Sequence, residues 1–120
     1  MKSALKVIAT MAVFVGALAI SPVATGDAQA DPWLASWYGP GFEGYPTASG
    51  EIFNPYDYTA AHPTLPFGTL LQVCYSDCVV VRVNDRGPYT GGRDIDLSQG
   101  AADAVGLTYV GTDYVDVEYY

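Results

Sequence analysis

Basic side chains are scarce in this chain. Its 120 residues include only five, no lysine follows Lys6, and Arg82, Arg86 and Arg93 are the only other cations against 13 carboxylates, for a formal net charge of −8. A surface of that sign repels polyanions, so nucleic acid is excluded as a partner. Long hydrophobic runs are lacking as well. The longest, residues 7–20, is shorter than the roughly 18 to 20 residues a bilayer-spanning helix needs, and stable membrane insertion is not expected. Metal ligands are equally few. One histidine, His62, and two cysteines, Cys74 and Cys78, do not form a zinc set at any recognised spacing, so neither a metal nor another cofactor is expected. No internal repeat or low-complexity segment is found, and a second domain is not expected.

What is present begins with an address. Lys2 and Lys6 precede the apolar run, and Ala28 and Ala30 put small residues where a signal peptidase reads, so residues 1–30 are expected to be an export signal peptide cleaved after Ala30. A retained N-terminal anchor is the alternative. No cysteine stands at the cut, which argues against a lipoprotein signal. The 90 residues that follow, 31–120, suit one domain and carry 12 carboxylates against three arginines, a formal charge of −9. The mature protein is expected to be secreted and monomeric.

Residues 34–38, 69–73, 79–83, 94–97 and 112–120 are short segments rich in β-branched or aromatic residues, and Gly and Pro punctuate the chain between them. The pattern predicts an all-β domain, a small barrel or sandwich. One helix is expected over 98–105, with Ser98 capping its start, Ala101, Ala102 and Val105 as its apolar stripe, and Gly106 ending it. Cys74 and Cys78 lie between two strand-like runs, where export favours a disulfide pinning a hairpin turn over redox or metal chemistry.

Polar residues gather where strands break. "VVVRVNDRGPY" runs as a strand into a turn, so the Asp85 carboxylate should emerge at a strand end. In "RDIDLS", alternation turns Ile95 and Leu97 to one face and Asp94 and Asp96 to the other. Glu51 follows a glycine turn beside Phe53. Each of these alone reads as a solvated or turn-capping carboxylate. His62, behind Ala60 and Ala61 and ahead of Pro63 and Pro66, has two readings: an imidazole held on a groove rim by a stiffened loop, or one bonded to nearby backbone only to fix that loop.

Taken together, "ASWYG", "TASGEIF", "TAAHPTLPFGT", "VVVRVNDRGPY" and "RDIDLS" resemble, in order and spacing, the successive blocks of the rare lipoprotein A (RlpA) family. The resemblance covers nearly all of residues 35–117. It implies a six-stranded double-psi β-barrel, the fold of expansin and barwin-like domains, and action on peptidoglycan glycan strands outside the cytoplasm, at the cell wall. Members with lytic activity prefer strands stripped of stem peptides. Carried over by position, the family's required acidic residue falls on Glu51, its histidine on His62 and its aspartate on Asp85. Asp96 matches the general acid of related endoglucanases. Departures are Asn54, where the family often has aspartate, the cysteine-bearing "CYSDC" hairpin, and the lack of the anchor cysteine and wall-binding repeat of many members.

The expected activity is lytic transglycosylation of the MurNAc–GlcNAc bond with a 1,6-anhydro product. Asp85 would serve as acid and then base, Asp96 as its electrostatic neighbour, and Glu51 and His62 would orient sugar hydroxyls or assist the transfer. Trp37, Tyr38, Tyr58, Arg86, Tyr89 and Arg93 are the expected substrate contacts, with Tyr45, Phe53 and Tyr56 also framing the groove. Two alternatives use the same barrel: a non-catalytic, expansin-like glycan-binding module, and a barwin-type interaction or inhibitor domain acting through its acidic outer face.

Overall fold

A computed structural model describes residues 30–120; the signal peptide expected over residues 1–30 falls, apart from Ala30, outside the described residues. The chain from Asp31 to Tyr120 is a compact unit. It contains β1 (Asp31–Trp37), β2 (Thr59–Ala61), β3 (Leu70–Cys74), β4 (Cys78–Asp85), β5 (Ile95–Leu97), helix α1 (Gln99–Val105) and β6 (Asp113–Tyr119). The strands close in the order β1-β5-β2-β4-β3-β6. β1 with β5 and β2 with β4 are parallel, and the other neighbours are antiparallel.

Period-two alternation accounts for the core. Leu71 and Val73 of β3, Val81 and Val83 of β4, Ile95 and Leu97 of β5 and Val115 and Val117 of β6 all turn inward and are buried with Ala35 and Ala60. The helix closes one side by burying Ala101, Ala102 and Val105. Ser98 caps it by accepting from the Ala101 amide, and Gly106, at φ 89°, ends it in the left-handed region that glycine adopts without steric cost. The Ser98 hydroxyl also donates to the Asp57 carbonyl and accepts from the Thr59 amide, so the cap ties the loop before β2 to the helix.

The disulfide joins Cys74 to Cys78, register partners across the β3–β4 hairpin. The hairpin tip leans on the helix end, where the Ser76 and Asp77 amides donate to the Val105 carbonyl.

One strand lacks any local signature. Residues 59–61, not among the expected strands, form β2, parallel to β4 and antiparallel to β5. Thr-Ala-Ala carries no polar–apolar alternation, all three residues being buried, and alanine has low strand propensity. The strand exists because its neighbours pair with it on both sides, and its side chains are buried: Ala60 is 1% and Ala61 2% exposed.

Candidate active site

Four strands present one row of residues. Ser36 of β1 is in register with Asp96 of β5, Asp96 with Ala61 of β2, and Ala61 with Asp85 at the end of β4. The register slips by one residue between Ala60 and Ala61, and this brings Asp85 rather than Asn84 opposite Ala61. Asp85 and Asp96 thus flank a methyl group at two strand spacings, roughly 9 to 10 Å between backbones.

Three donors converge on Asp85. The Tyr38 hydroxyl reaches Oδ2 at 2.6 Å, while the Ala48 and Arg86 amides reach Oδ1 at 2.8 and 2.9 Å. Burial, with the hydrogen bond and charge of Asp85 and the charge of Asp96, pushes the Tyr38 hydroxyl far above the usual phenol range, so it stays a donor. Its ring is held by stacking on Phe53, with centroids 4.6 Å apart, and by an edge contact with Phe42 at 5.7 Å.

Glu51 is partly exposed but paired. Both its oxygens take the Arg82 guanidinium at 2.8 Å, and Asn84 Nδ2 adds a third contact at 3.0 Å. These bonds, Arg82 first and Asn84 second, hold its pKa down to about 2. Glu51 is therefore a fixed carboxylate. Three of its roughly four acceptor positions are taken, which holds the carboxylate in one orientation. The Glu51 carbonyl accepts from the Thr47 amide, and the Ser49 amide donates to the Asn84 carbonyl. The anchored turn holds the Ala48 amide on Asp85.

His62 makes the contacts of its loop-fixing reading. Its Nδ1 accepts from the Thr64 and Leu65 amides, each at 3.1 Å, which fixes the loop. Two donors on Nδ1 require a lone pair there, so the neutral ring carries its proton on Nε2. Burial first, and the Arg86 charge as well, lower its pKa against the opposing pull of Asp94. The backbone joins it to the site, since the His62 amide donates to the Asp85 carbonyl at 3.2 Å. Trp33 packs 5.1 Å from the imidazole.

Asp96 is not an open partner for Asp85. It accepts from Ser36 Oγ and pairs with Arg93 at 3.0 Å, so its charge is compensated locally. Asp94 lies outside β5 and accepts from the Leu34 amide at 2.9 Å. Arg93 also holds Thr90 through its carbonyl and hydroxyl. Asn54 caps its own turn by accepting from the Tyr56 amide.

Among the expected sugar contacts, Trp37 turns away. Strand alternation puts it with Ala35, opposite Ser36 and Tyr38, where it packs against the core and its indole donates to the Thr108 carbonyl. Tyr58 and Tyr89 are exposed. Tyr38, Phe42, Glu43, Phe53, Tyr56 and Gln99 line a depression of about 100 Å³. Ser36, Arg82, Asn84 and the Ala48 amide were missed as site members. Alternation along β1 and β4 was the available signal for the side chains, since it sets Ser36 opposite Ala35 and Arg82 opposite Val81 and Val83. The Ala48 amide carried none. No cluster of three His, Cys, Asp or Glu side chains suited to a metal occurs among the described residues.

A closed six-stranded mixed barrel of this order, with one short helix and carboxylates at strand ends, is a double-psi β-barrel. The family model described as "Lytic transglycolase" matches residues 33–119, and the chain belongs to that family. It is 57% identical over 88 residues to a probable endolytic peptidoglycan transglycosylase RlpA of Synechocystis, across 71% of this chain and 27% of that protein. It is 50% identical over 88 residues to the endolytic peptidoglycan transglycosylase RlpA of Campylobacter jejuni, across 71% and 32%. The chain thus spans about a quarter to a third of the length of these curated relatives. Two solved structures share the fold, both at 22% identity, TM-score 0.61 and 76% coverage of this chain. They are a Streptomyces papain inhibitor, 94% covered, and the Clavibacter michiganensis expansin, 50% covered.

Proposed function

We propose that this domain is an exported peptidoglycan lytic transglycosylase that cleaves the MurNAc–GlcNAc bond of peptide-poor strands, with Asp85 as acid and base. The observation that carries the reading is the set of three donors on Asp85, which fixes a single carboxyl group at a strand end. Family membership and the names of the curated relatives point to the same reaction.

A glycosidic bond breaks when its bridging oxygen receives a proton as the C1–O bond opens. Asp85 delivers that proton to the leaving GlcNAc oxygen, and the resulting carboxylate faces the positive charge developing at C1. The C6 hydroxyl of the same muramic sugar then closes on C1 and returns its proton to Asp85. The product is a 1,6-anhydro ring, the carboxyl is regenerated, and no water is consumed. Tyr38 and the Ala48 and Arg86 amides hold the carboxyl during both transfers. His62 Nε2–H is a donor for a sugar oxygen, and Asp96, neutralised by Arg93, stiffens the neighbouring strand end. Export through residues 1–30 would deliver the enzyme to the wall.

The test is to incubate the protein and its Asp85→Asn variant with peptide-free glycan strands and to read products by mass spectrometry. Anhydro-muramic ends from the parent and none from the variant are expected. Binding by both with products from neither would instead establish the expansin-like reading.

A further inference from the structure

The three arginines of the described residues differ in one respect. Arg82 is paired with Glu51 and Arg93 with Asp96, but Arg86 meets no carboxylate among the described residues. In a domain with a formal charge of −9, an arginine without an anion is an exception that calls for a ligand.

Its setting is built. Nη1 donates to the His62 carbonyl at 3.3 Å and to the Asp85 carbonyl at 3.4 Å, and the guanidinium lies 4.0 Å over the Phe67 ring. A guanidinium has five N–H donors, and Nη1 supplies two of them. The Nε–Nη2 edge has no acceptor among the described residues, and that edge is the planar fork that matches the two oxygens of a carboxylate. The group is held from one side and open on the other, with its backbone amide already on Asp85.

From this we infer that Arg86 is a carboxylate-binding subsite adjoining Asp85, and that its ligand is the lactyl carboxylate of the acidic sugar in the glycan strand. The inference rests on the proposed function for the identity of the strand. A lactyl carboxyl is an anion when free and a neutral amide when a stem peptide is attached, so Arg86 discriminates between the two forms at the first sugar engaged. The aromatic depression beside Tyr38 cannot take that role, because its lining includes Glu43 and no cation.

The experiment measures binding by the Asp85→Asn variant to two probes: peptide-free glycan strands, and the same strands with their carboxyls converted to methylamides. A charge-assisted bidentate contact predicts roughly ten-fold or more tighter binding of the free acid. In Asp85→Asn/Arg86→Gln the ratio should fall to about one. Arg86→Lys keeps the charge without the fork and should retain only part of the ratio, which decides the matter if the glutamine variant does not fold. Equal binding of the two probes, binding of neither, or an unchanged ratio in the Arg86 variants would overturn the inference. Failure of the transglycosylase reading has a separate signature: no anhydro ends from the parent on either probe, with the binding ratio still measurable.

Discussion

The Tyr38 hydroxyl donates to Asp85 Oδ2 at 2.6 Å across a gap that two other strands separate in the barrel order, since β5 and β2 lie between β1 and β4. Residues 47 apart in sequence are thus tied at the carboxyl proposed as the acid. Tyr38→Phe keeps the stack on Phe53 and removes only this donor. Turnover on peptide-free strands should fall about 10- to 100-fold with KM nearly unchanged, because the bond orients the acid rather than the sugar. A rise in KM at constant kcat would instead make Tyr38 a substrate contact.

The Glu51 carboxylate should show itself in the acid limb of stability. Its pKa is held at about 2 against an ordinary 4.5, so the unfolded chain takes up its proton first as pH falls. The stabilisation is complete above pH 4.5 and declines from there toward pH 2. The pair with Arg82 is partly exposed, so the effect is modest and shrinks with salt. Tm recorded from pH 6 to 2 should fall less steeply in Glu51→Gln than in the parent, and kcat of that variant should drop at pH 7 because the Ala48 turn loosens.

For His62, the lowered pKa means that the unfolded chain binds a proton below about pH 6.5 before the folded one does. Its stabilising contribution is therefore complete above that value and is lost progressively as pH falls below it. His62→Asn supplies an oxygen near Nδ1 for the Thr64 and Leu65 amides but has no Nε2–H. It should fold with a near-parental Tm and lose most turnover. A large loss of Tm with turnover retained would reduce His62 to a loop fastener.

The disulfide is expected to matter for stability alone. Cys74 and Cys78 close a loop with a sequence separation of 4, for which chain entropy gives about 2 kcal/mol. They close the hairpin turn at the start of β4, whose eighth and last residue is Asp85, about 23 Å away at strand rise. Cys74→Ser/Cys78→Ser should lower unfolding free energy by about that amount, measured in urea, while leaving kcat on peptide-free strands unchanged.

Much of this was legible locally. The alternation in β3, β4 and β6, the Ser98 and Gly106 caps, the cysteine hairpin and the emergence of Asp85 at a strand end follow from short-range rules, which act within one or two turns of chain. The residues of β2 escaped those rules because three small side chains carry no period. Glu51 was found as a candidate, but its partner was not. A carboxylate in a glycine-rich turn looks the same in sequence whether it faces solvent or an arginine 31 residues away.

By itself, the sequence determined the acidic surface, the all-β pattern, the single imidazole and the residue types available for proton transfer. Those depend on composition and nearest neighbours. Tertiary structure alone decided which carboxylates pair with a cation, which arginine stands without a carboxylate among the described residues, and which ring meets Asp85. Closing the barrel sets the register between strands distant in sequence, and a one-residue slip between Ala60 and Ala61 chooses Asp85 over Asn84 for the row.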